Sequence, residues 1–133
     1  MTGRMFIVDD EPSIVELCKV VLQRRGFTVV GSALDGEEAV SKFRGLKDGA
    51  DMILLDYRMP RKNGLETLSA LLNIDPDIKV LFMSADTSII DVALRDGAAG
   101  FLVKPFEISE LIDTIKKILR IPEDGPRLSR ASA

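Results

Sequence analysis

Short apolar runs alternate with amphipathic stretches along almost the whole chain, and no other feature restricts its fold so strongly. The first run is MFIV at Met5 to Val8. Pro12 stands at a helix start, and SIVELCKVVLQRRG carries its apolar residues at helical spacing until Gly26 ends it. FTVVGSA is the next strand. Asp35 is placed to cap the helix GEEAVSKFRGL, with Glu38 three residues on completing a capping-box pattern. Strand MILL, helix GLETLSALLN, strand KVLFM, helix SIIDVALRDG, strand GFLV and helix ISELIDTIKKILR follow. Strand-then-helix order repeated about five times predicts an α/β fold. Parallel strands need crossover connections, and the helices supply them on both faces of the sheet. The strands are apolar without alternation, as strands covered on both sides are.

Length and charge narrow the function. A chain of 133 residues that is 46% hydrophobic is the size of one domain with a sizeable core. The expected domain covers residues 1–120. Beyond it, IPEDGPRLSRASA at 121–133 has no apolar period and reads as a flexible tail or linker stub. Net charge is −3, with Lys and Arg scattered among Asp and Glu. This predicts no nucleic-acid partner for this chain alone and no membrane partner. The opening MTGRMFIVDD is too short in apolar residues for a signal peptide, so the chain reads as cytoplasmic. Cys18 cannot form an internal disulfide and falls in step with Ile14, Val15, Val21 and Leu22 on an apolar helical face. It reads as core. Histidine is absent, which removes histidine triads, histidine metal ligands and any phosphohistidine on this chain.

In an open parallel sheet the ligand site lies beyond the carboxyl ends of the strands. The first strand ends in Asp9, Asp10 and Glu11, the third in Asp56, the fourth in Ser84 and the fifth in Lys104 followed by Pro105. Crowded carboxylates call for a cation, and hard oxygen ligands with spare water positions suit Mg²⁺. A carboxylate is also a nucleophile toward phosphorus. Lys104, the Ser84 hydroxyl and the metal then stand where charge on a transferred phosphoryl group needs stabilising. Taken singly, each residue has a structural role open to it: Asp and Ser cap helices, and Lys is usually a solvated surface charge. Caps do not call for a lysine after a strand or an acid doublet before Pro12.

The stretches VDDE, LLDYRMPRKNG, MSA and FLVKPF resemble the receiver domains of two-component response regulators, over Met5 to Arg120. The resemblance implies a flavodoxin-like (βα)5 fold with strand order 2-1-3-4-5. It makes Asp56 the phosphoacceptor. It makes Asp10 and Asp56 direct ligands of Mg²⁺ (or Mn²⁺), with Asp9 acting through water and the Arg58 carbonyl as a further ligand. Ser84 becomes the switch hydroxyl and Lys104 the phosphoryl-binding cation. Ala85 is small enough to leave the phosphoryl group access, and the Lys104-Pro105 bond is expected to be cis. Phe101 stands where the family has a rotating aromatic residue, although plain core packing accounts for a phenylalanine equally well. Arg58 and Asp86, each two positions past a site residue, flank the path of attacking water and are of opposite charge.

The implied activity is Mg²⁺-dependent acceptance of a phosphoryl group from a sensor histidine kinase or histidine phosphotransfer protein. A downstream target is expected on the face built by helix 88–96, strand 100–103 and helix 107–120. On this reading the chain is no enzyme beyond its own phosphoryl transfer and autodephosphorylation. It is either a single-domain regulator of the chemotaxis type or the receiver of a longer regulator. The alternatives are a degenerate scaffold receiver, which should lack one of Asp10, Asp56, Ser84 or Lys104, and an Mg²⁺-dependent aspartyl-phosphate hydrolase. The hydrolase requires a second Asp two positions after the first, where Arg58 stands. A Rossmann or P-loop enzyme would need a glycine signature after the first strand, and that signature is missing.

Overall fold

A computed structural model describes residues 3–121, and all but the first residue of the tail expected at 121–133 lies outside them. The elements are β1 Arg4–Val8, α1 Pro12–Arg24, β2 Thr28–Ala33, α2 Gly36–Arg44, β3 Met52–Asp56, α3 Gly64–Ile74, β4 Lys79–Ser84, a 3-10 turn Thr87–Ile89 leading into α4 Ile90–Arg95, β5 Gly100–Val103 and α5 Ile108–Leu119. All strand pairs are parallel and the sheet order is β2-β1-β3-β4-β5, the flavodoxin-like order expected from the sequence.

Period-two geometry sorts the unbroken apolar strands into two cores. Met5 and Ile7 of β1, Met52 and Leu54 of β3, and Leu81 and Met83 of β4 face α1 and α5, where they meet Val15, Cys18, Leu22, Leu111, Ile112 and Ile115. Phe6, Val8, Ile53, Leu55, Val80 and Phe82 face α2, α3 and α4, against Ala39, Phe43, Leu68, Leu71 and Ala93. Each such side chain, fully buried, contributes about 1.5 to 3 kcal/mol. Cys18 belongs to the first core as expected. Burial first, and then the Asp9 charge, push its thiol up to about 11, which keeps it an unreactive thiol at neutral pH.

Helix ends depart from the sequence reading in three places. Asp35 caps α2 by accepting from the Glu38 N–H at 2.8 Å, but the Glu38 carboxylate reaches past it to the Leu34 N–H at 2.7 Å. A reciprocal capping box forms instead at α3, where Asn63 and Glu66 bond each other's backbone N–H, each at 3.0 Å. The segment Ser88 to Gly97 opens as a 3-10 turn because the Asp86 carboxylate accepts from the Ser88 N–H and hydroxyl, winding the entry tightly. Ile121, the first residue of the expected tail, donates to the Lys116 carbonyl at 2.9 Å and packs against the first core.

Register fixes the heights of the strand ends. Val8 pairs with Leu55, which puts Asp9 beside Asp56; Asp56 pairs with Met83, and Ser84 with Val103.

Candidate functional site: an acidic cluster with a shared lysine

The carboxyl ends of β1, β3, β4 and β5 bring together the residues singled out from the sequence. Asp9 is fully buried, and Asp56 and Ser84 are nearly so, while Asp10 is exposed. One carboxylate oxygen from each of Asp9, Asp10 and Asp56 lies within 4.8 Å of the others. Lys104 Nζ donates to Asp9 Oδ2 and to Asp56 Oδ1, each at 3.1 Å. The Lys104-Pro105 peptide is cis, as the resemblance implied. The other oxygen of Asp9 accepts from the Glu11 N–H at 3.0 Å, so both of its oxygens have partners.

Electrostatics follow from this crowding. Burial, and then the negative charge of Asp9, push the Asp56 carboxyl up to about 6, against the opposing pull of Lys104. Burial alone would lower the Lys104 ammonium's pKa; the charges of Asp56 and Asp9, with their hydrogen bonds, outweigh it and leave it raised. One cation serves two close carboxylates, and Asp10 adds a third. The cluster is deficient in positive charge, and its all-oxygen donor set fits a hard divalent ion such as Mg²⁺ or Mn²⁺.

The remaining candidates line the rim. Ser84 Oγ accepts from the Asp86 N–H at 3.0 Å, and Ala85 is exposed beside it. Arg58 Nη2 lies 3.7 Å from Asp86 Oδ2, so the two loops do bring the opposite charges within reach. Asp10, Tyr57, Arg58, Met59 and Asn63 surround an open recess of about 440 Å³ at the Asp10 side of the cluster. Phe101 is half-buried and stacks on Phe82, ring centroids 5.9 Å apart and planes within 2°. Tyr57 touches the same Phe82 ring from the β3 side at 6.3 Å.

Gly64 closes the loop after Asp56, and the sequence signal for this was the Asn63-Gly64 pair, which reads only as a turn. Its N–H donates to the Tyr57 carbonyl at 2.8 Å. A Cβ at this position would come within 2.7 Å of Phe82 Cζ and Tyr57 Cα, so no side chain fits.

Comparison with known proteins agrees with this geometry. The family model described as response regulator receiver domain matches residues 5–116. The chain belongs to that family. It is 33% identical over 120 residues to the chemotaxis protein CheY of Thermotoga maritima, covering 89% of this chain and 98% of that one. It is 35% identical over 130 residues to the DNA-binding response regulator MtrA of Mycolicibacterium smegmatis, covering 95% of this chain but 54% of that protein. A solved CheX-CheY-BeF3-Mg complex from Borrelia burgdorferi superposes with a TM-score of 0.82 at 29% identity, over 86% of this chain and 87% of that one. This receiver therefore spans nearly all of one relative and about half of another. Among the described residues, no helix is long and apolar enough to cross a membrane.

Proposed function

We propose that this receiver is a phosphorylation-controlled switch, with Asp56 as the phosphoacceptor. The observation that carries the reading is the Lys104 ammonium donating at 3.1 Å to both Asp9 and Asp56, beside a third carboxylate and one strand from the Ser84 hydroxyl. A bound Mg²⁺ or Mn²⁺ would neutralise the carboxylates and polarise the phosphoryl oxygens. Asp10 and Asp56 would hold it directly. The Arg58 carbonyl would be a further ligand and Asp9 would act through water, a role consistent with both Asp9 oxygens already having partners.

A carboxylate oxygen of Asp56 attacks phosphorus. The bond from phosphorus to the donor nitrogen or oxygen breaks, and its electron pair leaves with the donor. Lys104 is placed to follow the negative charge outward onto the new phosphoryl oxygens, and Ser84 to donate to one of them. Ala85 leaves the approach open. The donor is a histidine kinase, a histidine phosphotransfer protein or a small acyl phosphate. The consequence is a shift in conformational population, with Ser84 and Phe101 as the moving parts and α4, β5 and α5 as the face offered to a target. Leu94, Val103 and Ile108 are exposed there. The switch works in the cytoplasm and acts through binding rather than turnover. A scaffold without phosphorylation is disfavoured because Asp10, Asp56, Ser84 and Lys104 are all present. A true hydrolase is disfavoured by Arg58 two positions after Asp56.

The test is intact mass after incubation with acetyl phosphate. A gain of one phosphate is expected in wild type with Mg²⁺, and none in Asp56→Asn or in excess EDTA. An equal gain in either control sinks the reading.

A further inference from the structure

The loop between β3 and α3 is anchored at its base by Gly64, but its tip is held by another element. Arg61 at the tip has φ 67°, the left-handed conformation that glycine or asparagine adopts at much lower cost. Its guanidinium reaches the start of α2: Nη1 lies 3.4 Å from Asp35 Oδ2, and Nε lies 3.9 Å from Glu37 Oε1. Asp35 is the same residue that caps α2. Backbone contact runs alongside this pairing. A Cβ on Gly36, the first residue of α2, would come within 2.5 Å of the Lys62 carbonyl oxygen and 2.2 Å of Thr67 Oγ1. Thr67 in turn donates to the Asn63 carbonyl at 2.8 Å.

We propose that Arg61 is a positioning residue for the metal site. By tying the loop tip to the first turn of α2, it holds the Arg58 backbone at the rim of the cluster of Asp9, Asp10 and Asp56, and so raises the affinity for a divalent cation. The inference rests on the reading of that cluster as a cation site. A tight turn holds Arg61 at its centre, the Lys62 N–H donating to the Pro60 carbonyl at 2.7 Å, and glycine would make the same turn with less strain. What arginine gains there is the contact with Asp35, whose side chain is only 16% exposed and is screened less than a free surface charge.

Arg61→Gly relaxes the backbone while removing the clamp, so its effects on stability oppose one another, whereas its effect on affinity does not. Tyr57, the only tyrosine of the chain, adjoins Asp56 and serves as the fluorescence probe of cation binding with no phosphodonor present, with isothermal calorimetry beside it. Titrations with Mg²⁺ of wild type, Arg61→Gly, Arg61→Lys and Glu37→Gln, with urea unfolding of each, decide the matter. At low salt Arg61→Gly is expected to weaken Mg²⁺ binding about threefold with an unchanged or higher urea midpoint. Glu37→Gln weakens it less, Arg61→Lys stays within about 1.5-fold, and the differences shrink at high salt. Equal affinity in wild type, Arg61→Gly and Glu37→Gln overturns the proposal and leaves the receiver reading intact. Affinity lost only in step with a falling urea midpoint, with Glu37→Gln unaffected, also overturns it. A wild type with no saturable Mg²⁺ response removes the cation reading itself, and this proposal with it.

Discussion

Arg58 and Asp86 face each other across the opening above Asp56, their charged atoms 3.7 Å apart. The pair is solvent-exposed on the arginine side and adds little to the stability of the fold. Asp86 is also held from its other side: the Ser88 hydroxyl first, and then the Ser88 N–H, keep its carboxyl below the usual range. A fixed Asp86 makes a firm abutment for the arginine. Hydrolysis of a phosphoaspartate needs water in line with the breaking bond, and on the proposed reading a bridging guanidinium would obstruct that line. Decay of phosphorylated protein after donor removal is therefore expected to be faster in Arg58→Ala and in Asp86→Ala, with no further gain in the double variant. Unchanged or slower decay in Arg58→Ala ends the idea.

The elevated Asp56 carboxyl makes metal-free stability depend on pH in a defined direction. Its folded pKa of about 6 lies above its value of 3.8 in the absence of the fold, so between these values the native state holds the extra proton. Stability falls as pH rises through this window, and the penalty is complete above it. Allowing for solvent at the mouth, the penalty is about 1 to 2 kcal/mol. In EDTA at about pH 7.5, Asp56→Asn should be more stable than wild type, and the gap should narrow as pH falls through the window and close only below its lower edge of 3.8. A gap independent of pH would contradict the burial argument.

Lys104 and Ser84 are expected to read the phosphoryl group rather than to make the acyl phosphate. Lys104→Ala and Ser84→Ala should still gain phosphate mass, while backbone NMR shifts along α4 and β5 on phosphorylation shrink to well below half those of wild type. Lys104→Ala carries a further cost: the fully buried Asp9 loses its cation, and stability drops by about 1 to 3 kcal/mol. Undiminished shifts in both variants would show that the output face is reached by another route.

Gly64→Ala should be a damaging single-methyl change at the loop that follows Asp56. The new Cβ meets Phe82, the Tyr57 backbone and the Asp56 carbonyl oxygen at 2.7 to 2.8 Å, and none of these is a flexible chain end. A loss of about 1 to 3 kcal/mol is expected in urea unfolding, with weaker Mg²⁺ binding as the loop is displaced. Wild-type values for both would mean the loop accommodates the methyl freely.

The strands and their terminal residues were legible because each apolar run is bounded by residues that have no place in a core. Asp9, Asp56, Ser84 and Lys104 stand out against what precedes them, and strand-end placement alone brings them together. The contact of the β3–α3 loop tip with α2, away from the strand ends, was not legible. Arg61 gives no local sign that it adopts a positive φ, since its partners lie at 35 and 37 in another element. Asn63 signals a turn and a helix cap with the same letter, and only the observed bonds to Glu66 separate them. Phe101 was open between core packing and a mobile role; the structure shows its partly buried ring stacked parallel on Phe82.

Strand register works as a ruler at this site. Asp56 is level with Met83, so Ser84 stands one residue higher, a rise of about 3.3 Å, and Lys104, following Val103, starts one step higher still. On the proposed reading Asp56, the acceptor, sits on the lowest tread, and the Ser84 hydroxyl stands at the height an added phosphoryl group would reach. A β4 ending one residue earlier would put the hydroxyl level with the carboxylate, where it would bond the empty site and the filled one alike. On that reading the stagger is what would let this edge of the sheet distinguish a carboxylate from a carboxylate carrying one more group.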